Sequence, residues 1–166
     1  MSRDDFLALL QSIARRPVPA TAGRHVYVWQ GTLEEITASA PHGLLKILDL
    51  HELCRALDGT PETDSAARRI LEAAIGKWLE KEFPRDDRQR ALAIMGCDLL
   101  MRYALPLSQF VQIASENRLV VMVVSEPVGG PPLRKALPPY VHFQPGATLD
   151  YFKTRISEQA FVGERS

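Results

Sequence analysis

Residues 119–124 read Leu-Val-Val-Met-Val-Val, six apolar side chains in succession with neither a charge nor an alternation. A strand with one wet face alternates, because its side chains point in turn to the core and to water. An unalternating, β-branched run of this length belongs instead to a strand covered on both faces. Residues 91–95, Ala-Leu-Ala-Ile-Met, repeat the pattern. Two such strands demand a helix layer on each side and crossover connections between strands. The chain is therefore read as α/β, three-layered, with a mainly parallel sheet.

The remaining elements fit that frame. Phe6, Leu9, Leu10 and Ile13 recur at helical spacing over residues 4–16, until Pro17 and Pro19 stop the helix. Val26, Tyr27, Val28 and Trp29 form a short strand over 25–30. Gly31 then turns the chain, and Thr32-Leu33-Glu34-Glu35 has the form of a capping box. A second strand over 44–48 runs into Asp49 and a helix to Leu57. The longest helix spans 65–83, with Ile70, Leu71, Ala74, Ile75, Trp78, Leu79 and Phe83 assigned to its buried face. Helices follow over 99–103 and 106–117. A Pro/Gly-rich loop carries Arg134-Lys135, and beyond it an edge strand over 140–143 and a helix over 148–156 complete the pattern. The expected organisation is one domain, 1–166: an N-terminal helix (1–16), an α/β core with a five-stranded sheet (25–156) and a polar tail (157–166).

Charge narrows the functional classes. Twenty Lys and Arg balance twenty Asp and Glu, and the balance is also local: residues 91–166, for example, carry 7 basic and 6 acidic groups. A general nucleic-acid coat needs a positive excess, which is absent. No apolar run reaches the ~20 residues of a spanning helix, and Met1-Ser2-Arg3-Asp4-Asp5 does not open an export signal, so the chain is expected to be cytoplasmic, with no membrane partner. Cys54 and Cys97 form neither a CxxC pair nor a disulfide framework, and with four dispersed His they give no metal-ligand spacing. No metal or other cofactor is expected.

In parallel sheets ligands gather at the carboxyl ends of the strands. That rule selects Gly31 and Thr32, Asp49, Asp98 and Ser125 as a nucleotide-like pocket. A phosphate loop of the GxxxxGK[ST] type needs several glycines and a Lys at the first of these ends. The chain has Gly31 and Thr32 followed by Glu34 and Glu35, and carboxylates there repel a phosphate. Asp98 is expected as a helix N-cap, and Ser125 as a turn residue. No GxSxG elbow and no HExxH occurs, so no catalytic residue is assigned. Arg134 and Lys135, with Arg85 and Arg88 in a charged loop, are the candidates for contact with a phosphate or an acidic partner.

The order of elements resembles the P-loop NTPase fold of the AAA and STAND kind. Ile47-Leu48-Asp49-Leu50-His51-Glu52-Leu53-Cys54-Arg55-Ala56-Leu57, Asp98-Leu99-Leu100, and the run of Pro106-Leu107, Ser115, Asn117-Arg118 and Val120 to Val124 are similar to the small P-loop-type accessory proteins of BREX bacteriophage-defence systems. The resemblance covers roughly residues 25–125. It departs where function would sit: the phosphate-loop Lys and the strand-end Asp are both missing. It implies a nucleotide-binding frame without the nucleotide.

Three functions follow as expectations. The first is a non-catalytic accessory subunit of a defence or DNA-transaction assembly, docking on a protein partner such as a larger ATPase or forming a homo-oligomer. The second is a small α/β nucleotide binder or hydrolase in which Asp49, Asp98 and Ser125 converge. The third is a DNA-contacting module using Arg134, Lys135, Arg85, Arg88 and Arg90.

Overall fold

Among the described residues the strand pattern is realised as a five-stranded sheet in which every pairing is parallel, in the order β2-β3-β4-β1-β5. The strands are β1 (Val26–Trp29), β2 (Leu45–Asp49), β3 (Ala91–Met95), β4 (Leu119–Val123) and β5 (Phe161–Val162). The computed structural model describes residues 1–14, 25–57, 61–85, 88–115, 118–125 and 145–163. The strand expected over 140–143 and the loop bearing Arg134 and Lys135 lie outside the described residues.

β4 is central and buried along its whole length, as its unbroken apolar run requires. One face of the sheet is covered by α1 (Arg3–Gln11) and α2 (Leu33–Ser39). There Phe6, Leu9, Leu10 and Ile36 pack on Tyr27, Trp29, Val121 and Val123. The other face carries α3 (Leu50–Arg55), α4 (Asp64–Glu82), α5 (Asp98–Arg102), α6 (Ser108–Ile113) and α7 (Pro145–Lys153). Leu50, Leu71, Ile75, Leu99, Phe110 and Phe152 pack there against Leu48, Ile94, Val120 and Met122. Each fully buried large side chain contributes about 1.5–3 kcal/mol, so the two apolar layers dominate the stability of the fold.

Three expectations are corrected. The fifth strand is Phe161–Val162, inside the stretch read as a polar tail; it pairs with Val28 and Trp29, and Val162 is fully buried. Two apolar residues are too few to show a period. Ile70 is 40% exposed, because the buried stripe of α4 is Ala67, Leu71, Ile75 and Leu79, one residue round from it. The helix expected over 106–117 is only Ser108–Ile113. It stops because Ser115 and Arg118 exchange backbone bonds of 3.0 and 3.1 Å, folding the chain tightly into β4.

At the amino edge of the sheet two arginines tie the layers together. Arg90 Nε donates to Ile13 O at 3.1 Å, anchoring the end of the N-terminal segment. Arg118 Nη2 donates to Phe83 O at 2.8 Å, with its guanidinium 3.6 Å above the Phe83 ring. Both side chains are buried.

Candidate functional site

β1 and β4 are adjacent, but α2 lies on one face of the sheet and α7, the next described helix after β4, on the other. A crevice at the carboxyl edge is expected where neighbouring connections diverge in this way. On the β1 side that position is occupied by Gln30, Gly31 and Thr32.

That turn is closed by the chain's own groups. Glu35 Oε2 accepts from Thr32 N at 2.9 Å, and Thr32 Oγ1 accepts from Glu35 N at 3.4 Å, which is the capping box read from the sequence. Trp29 Nε1 donates to Thr32 O at 3.1 Å. Arg3 reaches in from α1: it donates to Gln30 O at 2.8 Å, pairs with the Glu35 carboxylate and lies 4.4 Å from the centre of the Trp29 ring. A Cβ on Gly31 would stand 2.6 Å from both Glu35 Oε2 and Trp29 Nε1, so glycine is needed for this close approach. The Thr32 N–H and the Arg3 guanidinium together hold the Glu35 carboxyl below the usual glutamate range. The residues present do not fit a nucleotide phosphate. The N–H of Thr32 is taken by a carboxylate, and α2 is only 7 residues long.

At the end of β2, three strands from β1, Asp49 caps α3, its Oδ1 accepting from His51 N at 3.0 Å and Glu52 N at 3.3 Å. Asp98 is not the N-cap expected of it. Gly96 takes a left-handed conformation (φ +72°), Cys97 occupies the cap position, and Asp98 becomes the first residue of α5. Its carboxylate Oδ1 instead accepts from His51 Nε2 at 2.8 Å. The His51 and Asp98 side chains are 20% and 13% exposed. A Cβ on Gly96 would come within 2.9 Å of the His51 ring and 3.1 Å of the His51 backbone nitrogen, so the same glycine sets the helix start and seats the imidazole. Beside them the Cys97 thiol donates to Ile94 O at 3.3 Å; burial pushes its pKa up, which opposes thiolate chemistry.

Asp49 and Asp98 thus meet at one residue, His51, one through its backbone and the other through its ring. Ser125 follows the end of β4, half-buried, on the far side of β3. Arg85 and Arg88 are exposed in the connection entering β3 at the opposite, amino edge. Arg90, grouped with them as a cation for DNA, is buried and bonded to Ile13, and cannot serve as one. Among the described residues no group of three or more His, Cys, Asp and Glu is placed to hold a metal ion, and no helix is long and apolar enough to cross a membrane.

Sequence reasoning missed two participants. His51 was detectable in principle, since it follows the strand-end Asp49 by two positions at the carboxyl edge. Arg3 was not, because its partners lie 27 and 32 residues away. No family model, curated protein or solved structure matches this chain.

Proposed function

We propose that this chain is a non-catalytic, cytoplasmic accessory subunit with a P-loop-like frame, working in a phage-defence assembly of the BREX kind by docking on a partner ATPase or by self-association. One observation carries the reading. The turn after β1, where a P-loop protein cradles phosphate, is filled by the Thr32–Glu35 capping box and the Arg3 guanidinium. Insertion of β4 between β1 and β3 differs from the 3-2-1-4-5-6 and 2-1-3-4-5 orders of the common doubly-wound folds, which favours a frame of another kind. A frame kept without its phosphate contacts is free to act through its surfaces.

Affinity purification of the tagged chain from its native host tests the proposal. The expected result is co-purification of a P-loop ATPase in stoichiometric amount. Recovery of a strict monomer with no partner would contradict it.

A further inference from the structure

The two edges of the sheet are not alike. β5 is two residues long, and shortness is one way in which a sheet edge avoids pairing with another chain. β2, the other edge among the described residues, runs five residues without a proline and in unbroken register with β3, from Leu45 opposite Ala91 to Asp49 opposite Met95. Ala91 N donates to Leu44 O at 3.1 Å. By the alternation of a parallel ladder, the peptide groups of Lys46 and Leu48 then face β3, while those of Leu45 and Ile47 and the N–H of Asp49 face outward. A lysine commonly guards such an edge, but Lys46 is held at 2.9 Å by Glu82 of α4. Ile47, in the middle of the strand, is 38% exposed.

We propose that β2 pairs with β2 of a second copy of this chain, antiparallel across a two-fold axis at Ile47, joining the two sheets into one. The register argues for an identical partner. Centred on Ile47, it sets Leu45 opposite Asp49, Lys46 opposite Leu48 and Ile47 opposite its own copy. The two Ile47 peptide groups then exchange hydrogen bonds, each Asp49 N–H reaches the Leu45 O of the second copy, and no like charges face each other. Centred on Lys46, it opposes two ammonium groups; centred on Leu48, it leaves Leu45 without a strand partner. A two-fold contact of this kind closes on itself and stops at the dimer. One short strand makes a small interface, so the dimer is weak and depends on concentration. The inference rests on the sheet edge alone and stands whether or not the reading of the β1 turn holds.

Sedimentation equilibrium from micromolar to about millimolar protein tests it, with Ile47→Lys placing like charges on the axis and Ile47→Pro removing an outward N–H that an edge strand tolerates losing. Wild type is expected to dimerise, and both variants to weaken the dimer at least tenfold while melting within a few degrees of wild type. In the wild-type dimer the amide hydrogens of Ile47 and Asp49 are expected to exchange more slowly as concentration rises. A wild-type chain that stays monomeric throughout, a dimer equally tight in both variants, or unprotected Ile47 and Asp49 amides in a dimer would each overturn the proposal.

Discussion

Glu35 shows how a single side chain decides the character of the β1 turn. Its carboxylate accepts the Thr32 N–H and pairs with Arg3, so the ionised form is the one the fold favours. A group whose pKa is lowered on folding adds stability above its ordinary value, here 4.5, and that stability is lost as pH falls through the lower folded pKa. Glu35→Gln keeps a side chain able to complete the capping box but removes the ion pair. In urea titrations wild type is therefore expected to exceed Glu35→Gln in stability above about pH 5, with the difference shrinking toward about pH 3. A difference independent of pH would contradict the role given to the charge. The side chain is 39% exposed, so the difference is small.

At the scale of elements, the parts of the fold that were legible are those whose signal is local. The unalternating run of β4, the period of α4 and the Thr32 to Glu35 spacing each depend on neighbours within a few residues, and each element is found where it was read. β5 was not legible, because a two-residue strand has no period and its pairing partners, Val28 and Trp29, lie far away in the chain. The His51–Asp98 bond spans 47 positions, and Asp98 was misassigned as a cap because the left-handed turn at Gly96 shifts the start of α5 by one residue. Val162 gives the element-scale test. Its side chain is fully buried beside β1, so Val162→Ala is expected to lower stability by about 1.5–3 kcal/mol by chemical denaturation. A change below about 0.5 kcal/mol, as at a surface position, would show that the C-terminal segment is not part of the sheet.

For the molecule as a whole, the balance of charge and the closed turn point the same way. At the carboxyl end of β1, the edge where a parallel sheet commonly takes its ligand, the turn is bonded by the chain's own threonine, carboxylate and guanidinium. Among the described residues β2 forms one edge of the sheet. The most direct test of the closed turn is isothermal titration calorimetry of the purified chain with ATP–Mg. No saturable heat is expected up to about 1 mM nucleotide; saturable binding with a Kd in the micromolar range, about −8 kcal/mol, would contradict the closed turn.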